Sequence, residues 1–429
     1  MNVTHYPLLD EKLYKKQLSN GLTVAVVPRA GFTKKLAYFV TDYGSIHTDF
    51  TYRGKTYSVP AGIAHYLEHK LFDMPGDRDV SGEFAAMGAV TNAFTSYDMT
   101  AYYFSCTEHF PECLKLLLEF VSTPYFTRES VEKEQGIIDQ EIGMNEDAPE
   151  SVVFEQLMGA MCREHPIRVP ILGTAESIRQ ITPELLELCH NAFYNPGNML
   201  LCVIGDVEPE AVCETAEAVL GTGTRETGVK RPYPVEEMTC PTPQIQRSME
   251  VSMPMFHLAF KCEPLGKGDE AIRQEMVADL AAEALFGESS ELYLRLYEEG
   301  IIDSSFGGGF ETIDGFSMLL CSGDSDHPEA LRDALIAQAE KLAAEGLEEE
   351  SFLRMKRSAM GRRIRGLDSF DSTCFRICAY HMSDFDYFRF PEIFRDITVA
   401  DIQSFLARAV TRERSCLSVI TPISKEEAV

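Results

Sequence analysis

The stretch Ile181-Thr-Pro-Glu-Leu-Leu-Glu-Leu-Cys-His-Asn-Ala-Phe-Tyr-Asn-Pro-Gly-Asn-Met199 indicates the architecture of this chain, because the second half contains its counterpart. Ile181-Thr182 has the form of a helix start, and Met199 begins an apolar, strand-like run (199 − 181 = 18). Ile397-Thr398 and Ser415 repeat this order with the same spacing (415 − 397 = 18), at an offset of 397 − 181 = 216. A repeat at about half the chain length indicates internal duplication.

A second pair of helix starts has nearly the same offset. Phe110-Pro-Glu112 and His327-Pro-Glu329 each open a helical pattern, and the spacing of their prolines is 328 − 111 = 217. We therefore predict an α+β fold of two similar domains, each a mostly antiparallel sheet packed with helices. The stretch 221–243, rich in Pro and Gly, is the expected linker, so the predicted domains are 1–220 and 244–429.

Composition sets limits on location and partners. The chain has 429 residues, of which 45% are hydrophobic and 25% charged, as in ordinary globular proteins. Its net charge of -28 argues against nucleic acid or an anionic membrane surface as a partner. No apolar run has the character of a signal peptide or a membrane span, and the 12 Cys form no C-x-x-C pair. These features predict reduced thiols and a cytoplasmic, bacterial-type protein.

The motif His65-Tyr-Leu-Glu68-His69 carries the chemistry. It reads as a helix between Pro60 and Pro75, so both imidazoles leave one face a turn apart, and Glu68 is close to them. Two such nitrogens can bind Zn²⁺, and a catalytic zinc needs a third protein ligand and an open position. The alternative is an exposed helix that carries two His and a Glu by chance, since the chain has 10 His.

A second helical pattern supplies candidate carboxylates. Glu134 and Glu141 are seven residues apart and therefore share a helix face. The alternative is a solvated acidic helix. Glu141, however, is flanked by Ile137, Ile138 and Ile142, where an unpaired carboxylate would be costly and a zinc ion would compensate it.

The sequence resembles the insulinase, pitrilysin and mitochondrial processing peptidase family of inverted zinc peptidases along nearly its whole length. The matching segments are Leu18-Ser-Asn-Gly-Leu-Thr-Val24, Gly62 to Phe72, Glu83 to Thr95, Glu134 with Glu141, and Tyr194 to Asp206. The resemblance implies one Zn²⁺ per chain held by His65, His69 and Glu141, with Glu68 as general base and Glu134 as a supporting carboxylate. The family spacing from the first His to the ligand Glu is matched (141 − 65 = 76).

The resemblance also implies a substrate-binding strand. The segment Ala89, Val90, Thr91, Asn92 and Ala93 looks like the family's edge strand, to which an extended peptide adds by main-chain hydrogen bonds. The alternative is an ordinary strand. The implied activity is zinc-dependent endopeptidase cleavage of extended peptides or small proteins in a two-lobed chamber.

The second half lacks these residues. The region that resembles the motif helix, Ala278 to Phe286, contains no His, and the helix around Arg354 to Arg363 is basic. Active relatives carry an Arg and a Tyr in the non-zinc half or in a partner subunit, and Tyr297 and Asp303 fall at those positions here.

This pattern resembles zinc subunits of bacterial two-subunit members. It predicts a heterodimer whose second family subunit supplies Arg and Tyr, and a homodimer is the simpler alternative. A different class of function, a non-catalytic scaffold subunit that retains a metal site, is also an alternative.

Overall fold

The computed structural model describes residues 1–76, 78–223, 228–232 and 234–423. Of the predicted linker, residues 224–227 and 233 lie outside the described residues. The strands are β1 (Asn2–Tyr6), β2 (Glu11–Gln17), β3 (Thr23–Pro28), β4 (Lys35–Thr41), β5 (Asp49–Tyr52), β6 (Lys55–Ser58), β7 (Asp73–Met74), β8 (Arg78–Asp79), β9 (Val90–Thr95), β10 (Thr100–Cys106), β11 (Met199–Gly205), β12 (Gln244–Met249), β13 (Met255–Cys262), β14 (Gly307–Ile313), β15 (Phe316–Asp324) and β16 (Ser415–Pro422).

The helices alternate with these strands. They are α1 (Ile63–Lys70), α2 (Val80–Ala86), α3 (Phe110–Ser122), α4 (Arg128–Glu146), α5 (Pro149–Met161), α6 (Ala175–Ile178), α7 (Pro183–Phe193), α8 (Pro209–Leu220), α9 (Asp269–Phe286), α10 (Glu291–Glu298), α11 (Pro328–Glu345), α12 (Glu349–Arg365), α13 (Phe370–Met382), α14 (Phe390–Arg395) and α15 (Val399–Ala409). No helix in this described part of the chain has the length and apolar character of a membrane span.

The repeated helix starts and strands occur where the sequence predicts them. Thr182 caps α7 by accepting a hydrogen bond from the Leu185 amide, and Thr398 forms a capping box at α15 with Asp401. The strands that follow, β11 and β16, begin at Met199 and Ser415.

The chain folds as two compact units. Unit 1 contains Met1–Ile142, Pro170–Pro232 and Ile364–Arg389. Unit 2 contains Gly143–Val169 and the described parts of Tyr233–Arg363 and Phe390–Val429. Each unit therefore includes a segment from the opposite half of the sequence, and the predicted boundaries, 1–220 and 244–429, take no account of this exchange.

The two sheets share one topology. In unit 1 the strand order is β1-β2-β3-β11-β4-β10-β9, and in unit 2 it is β12-β16-β13-β15-β14. The β3–β11 and β12–β16 pairs are parallel, whereas the following pairs in each sheet are antiparallel. The last five strands of unit 1 thus repeat as the five strands of unit 2. The prediction of two similar, mostly antiparallel α+β domains is confirmed.

The exchanged segments each cover a sheet. In unit 2, α5 packs on β13 and β16, and the Ser418 hydroxyl donates to the Val153 carbonyl, while the Gln156 amide donates to Ser418. In unit 1, α13 packs on β11 and β4, where the sulfurs of Cys374 and Cys202 lie 3.6 Å apart.

Candidate metal centre

Helix α1 is buried along most of its length. Gly62 precedes it with a positive φ of 85°, and a Cβ at this position would lie 2.3 Å from the Leu172 carbonyl oxygen, so only glycine fits. His65, Glu68 and Lys70 are all buried in this short helix. The helix is therefore not exposed, in contrast to the helix that the alternative assumes.

Three predicted ligands come together in unit 1. The Nε2 atoms of His65 and His69 each lie 3.7 Å from the Glu141 Oε2 atom, although the two histidines are on α1 and the glutamate on α4. The imidazole centroids are 4.5 Å apart, and one donor atom from each of the three residues lies within 4.8 Å of the others. Among the described residues this is the one such group of three or more His, Cys, Asp or Glu side chains.

The donor set fits a zinc ion. Ligand bonds of about 2.0–2.1 Å in a tetrahedral arrangement place ligand atoms roughly 3.4 Å apart, slightly less than the separations here. Burial, followed by the neighbouring His69, lowers the pKa of His65 to about 4, so its imidazole is neutral at pH 7 and has a free lone pair. Two imidazoles and one carboxylate leave a tetrahedral position open, as catalytic zinc sites require.

Glu68 is held beside these ligands. Its Oε2 atom accepts a 2.6 Å hydrogen bond from the Thr95 hydroxyl at the end of β9. Burial raises the pKa of Glu68, although the Thr95 hydrogen bond opposes the shift. A carboxylate with a raised pKa is a stronger proton acceptor than a solvated one.

Glu134 supports His69. Its Oε1 atom lies 3.0 Å from His69 Nδ1, and the hydrogen bond raises the pKa of His69. Because a carboxylate accepts, Nδ1 carries the proton and Nε2 is free for a metal. Burial alone would raise the pKa of Glu134, but His69 and the Lys70 ammonium hold it below its ordinary value. The Nδ1 atom of His65, in contrast, is buried without a hydrogen-bond partner in the described residues.

The proposed substrate segment lies at an edge. Strand β9 pairs with β10 on one side and is the last strand of the unit 1 sheet among the described residues, and it packs against α1. Val90 is 71% exposed, and the Asn92 side chain accepts a hydrogen bond from the Ala93 amide. Ala89 directly precedes the strand and Thr91 lies within it.

The surroundings of Glu141 differ in one respect from the prediction. Ile138 and Ile142 are buried as expected, but Ile137 is 46% exposed. The Glu141 side chain is itself 40% exposed, so the cost of burying it does not identify this ligand. Its approach to the two imidazoles is what distinguishes it from the other acidic residues of α4.

Two further side chains belong to the site. Thr95 and Lys70 lie inside the segments that resemble the family, yet neither follows from ligand spacing. Lys70 is 1% exposed on the same helix face as the buried Tyr66, four residues earlier. A lysine on the buried face of a helix is the signal that could have identified it.

Tyr297 and Asp303, which the sequence comparison places at the family's Arg and Tyr positions, lie on the surface of unit 2. Tyr297 is 52% exposed on α10 and stacks on Tyr293. The Asp303 carboxylate accepts hydrogen bonds from the backbone amide and the hydroxyl of Ser305.

The fold combines two sheet-and-helix units with one group of two imidazoles and a carboxylate that could hold a metal ion. Family models agree: "Insulinase (Peptidase family M16)" matches residues 56–175, and "Peptidase M16 inactive domain" matches residues 180–359. This chain belongs to the M16, or insulinase, family of peptidases. The family resemblance in the sequence is thereby confirmed.

Relatives cover the whole chain. The Bacillus subtilis protein "Uncharacterized zinc protease YmfH" is 37% identical over 98% of this chain and 99% of its own length. The crystal structure described as an M16-like peptidase from Alicyclobacillus acidocaldarius is 32% identical, with a TM-score of 0.93, covering 97% of this chain and 99% of that one. A chain of complex III2 from Candida albicans shares the fold at 15% identity and a TM-score of 0.75, covering 95% of both chains.

Proposed function

We propose that this protein is a zinc-dependent endopeptidase that hydrolyses extended peptides or small proteins, as the catalytic subunit of a heterodimer. The observation that carries the proposal is the cluster of His65, His69 and Glu141 with the buried Glu68 carboxylate beside it. The name of the B. subtilis relative, a zinc protease, agrees with this chemistry.

The roles of the residues follow from their positions. His65, His69 and Glu141 would hold the ion, which when bound acts as a Lewis acid and lowers the pKa of water. Glu68 accepts a proton from the water that attacks the scissile carbonyl and then donates it to the leaving amine. The hydroxyl of Thr95 keeps the Glu68 carboxylate oriented, and Glu134 keeps His69 in the tautomer with a free Nε2 atom.

Strand β9 supports an extended substrate. Its outer edge has no partner strand among the described residues, so a peptide can add there by main-chain hydrogen bonds. The segment from Ala89 to Ala93 would then run beside α1, the helix that carries Glu68. Binding of this kind depends mainly on the peptide backbone.

The test compares the wild-type chain with Glu68→Gln, each assayed together with a second family subunit that carries the Arg and Tyr. We expect about one zinc per chain in both proteins by metal analysis. Hydrolysis of a quenched-peptide library should fall by about a hundredfold to ten-thousandfold in the variant, the usual contribution of a general base. Absence of zinc from the wild-type protein after reconstitution would contradict the proposal.

The heterodimer is proposed because Tyr297 and Asp303 stand where active relatives carry Arg and Tyr. A second family subunit with that pair would restore turnover when it is mixed with this chain. If the isolated chain cleaves peptides as fast as the mixture, a self-sufficient enzyme or a homodimer is the better description.

The alternative function is a scaffold subunit that retains a metal site. The match of residues 180–359 to the family model described as an inactive domain favours it. A scaffold subunit does not need a general base such as Glu68. If the chain binds zinc but hydrolyses no peptide, either alone or mixed with a second family subunit, this alternative is supported.

The cytoplasm remains the proposed compartment. All twelve cysteines are in the described residues, and none forms a disulfide. All but Cys240 are buried, as expected for thiols that serve as small apolar core residues.

A further inference from the structure

Lys70 is a buried cation immediately after a proposed zinc ligand. Its side chain is 1% exposed, and its ammonium forms an ion pair with Asp73. The same Nζ atom donates to the Ser130 carbonyl at 3.3 Å and lies 3.8 Å from the Glu134 Oε2 atom. The ammonium thus donates hydrogen bonds to Asp73 and the Ser130 carbonyl and forms a longer ion pair with Glu134.

Glu134 is therefore engaged at both oxygens. Oε1 faces His69 Nδ1 at 3.0 Å, and Oε2 faces Lys70 Nζ. A carboxylate with a cation or donor on each oxygen loses the freedom to rotate about its terminal bond. His69 and Lys70 are neighbours in α1, so one helix holds the carboxylate from two directions.

The same contacts attach α4 to α1. Ser130 and Glu134 are one turn apart on α4, and Lys70 reaches both. The Tyr66 hydroxyl donates to the adjacent Val131 carbonyl, and Tyr66 lies one turn before Lys70. Glu141, the third member of the metal cluster, is further along α4.

We propose that Lys70 is a positioning residue that fixes Glu134, and through it the His69 imidazole, in the orientation that binds zinc. This inference rests on the proposed metal site. It adds the Lys70 ammonium behind the Glu134 carboxylate, which in turn stands behind the His69 imidazole. Carboxylates that hydrogen-bond to metal-binding histidines contribute about tenfold to a hundredfold to metal affinity. A residue that holds such a carboxylate in place should account for part of that contribution.

The experiment measures zinc affinity by competition with a chromogenic chelator, using the full chain. The variants are Lys70→Met, Glu134→Gln and the double variant, and methionine keeps the length of the lysine side chain without its charge. Lys115→Met is the matched control, because Lys115 is 63% exposed and forms an i, i+4 ion pair with Glu119. Thermal unfolding of each metal-free protein reports folding separately.

We expect Lys70→Met to weaken zinc binding about tenfold and Glu134→Gln about tenfold to a hundredfold. In the double variant the loss should equal that of Glu134→Gln alone, because Lys70 acts through that carboxylate. The Lys115→Met affinity should match the wild type.

Two results would overturn the assignment. One is unchanged zinc affinity in Lys70→Met, and the other is a loss of zinc affinity caused by Lys70→Met in the Glu134→Gln variant that is as large as in the wild type. If metal-free Lys70→Met does not fold, Asp73→Asn replaces it, since Asp73 is half-exposed and anchors the ammonium. For Asp73→Asn we expect a smaller loss of zinc affinity than for Lys70→Met, and no further loss when Glu134 is already Gln. Unchanged zinc affinity in Asp73→Asn would contradict the assignment of Lys70. A wild-type chain that binds no zinc would instead refute the proposed function.

Discussion

The two units use equivalent helices in opposite ways. Helix α1 in unit 1 is followed by Leu71-Phe72, and α9 in unit 2 ends with Leu285-Phe286. Aligning these pairs places Asp279 where His65 stands and Glu283 where His69 stands. The offset is the same for both positions (279 − 65 = 214 and 283 − 69 = 214). In unit 1 the i and i+4 side chains are imidazoles, and in unit 2 they are carboxylates.

The partners differ accordingly. The Asp279 carboxylate accepts from the Arg363 guanidinium, and Glu283 accepts from Arg362 at 2.7 Å, both from α12. Helix α4 in unit 1 instead supplies Glu141 to the two imidazoles. The carboxylates of unit 2 thus pair with arginines of the same unit, whereas the two imidazoles and the carboxylate of unit 1 form the group proposed to hold a metal ion.

The largest effect is expected from a substitution that prevents zinc binding in unit 1. Glu141→Gln eliminates the one anionic ligand, so zinc content should fall to a small fraction of one per chain and hydrolysis by about a thousandfold or more. Metal analysis and the peptide assay measure both. The matched variant in unit 2, Asp279→Asn, should retain full zinc content, and zinc loss there would contradict the assignment.

The next effect tests a buried pair inside unit 2. Glu236 accepts hydrogen bonds from the amides of Arg163, Glu164 and His165 and pairs with the fully buried Lys261. Glu236→Gln leaves that ammonium without its counter-charge, which we expect to reduce the free energy of unfolding by about 3 kcal/mol at pH 7. Denaturant titration measures it.

The pH dependence of this effect has a definite sign. Burial would raise the pKa of Glu236, but the three amides and Lys261 lower it from 4.5 to about 2. A carboxylate with a depressed pKa stabilises the fold above pH 4.5, and that contribution is lost as the pH falls toward 2. The difference between wild type and Glu236→Gln should therefore shrink between pH 4.5 and 2. A constant difference would assign the effect to packing.

A smaller effect concerns the compensating charges of unit 2. Arg363→Ala leaves Asp279 without its guanidinium and should cost about 1 kcal/mol, because Asp279 is partly exposed. The loss of unfolding free energy in Arg363→Ala should be the same with and without zinc.

The wild-type chain, in contrast, should unfold at a lower denaturant concentration after zinc is removed by chelation, since a ligand that binds the folded state stabilises it. If zinc changes the loss of unfolding free energy caused by Arg363→Ala, the Asp279–Arg363 pair and the proposed metal site are not independent of each other.

The smallest effect concerns the hydroxyl beside the general base. Thr95→Val keeps the shape of the side chain but removes the hydrogen bond to Glu68. We expect kcat to fall about threefold to tenfold with zinc content unchanged, which corresponds to the roughly 1 kcal/mol that one hydrogen bond usually contributes. A change in KM alone would assign Thr95 to substrate binding.

Much of the fold and of the metal cluster could be predicted from the sequence. The i, i+4 spacing of His65 and His69 places both nitrogens on one helix face, and the repeated Thr-capped helices predicted the duplication. The exchange of α5 and α13 could not be predicted, because an apolar stripe shows that a helix is buried but not which sheet buries it. The burial of Lys70 could have been inferred from its helix face, but its contacts with Ser130 and Glu134 could not, since these residues become its neighbours only after α4 packs on α1.

The exchanged helix α13 has a consequence for synthesis. Strands β4 and β11 emerge from the ribosome long before residues 370–382, which cover one face of their sheet. Domains generally fold as units during translation, beginning at the N-terminus. Unit 1 cannot complete its packing until residue 389 has been made, so the sheet surface that α13 covers stays exposed in the nascent chain until then.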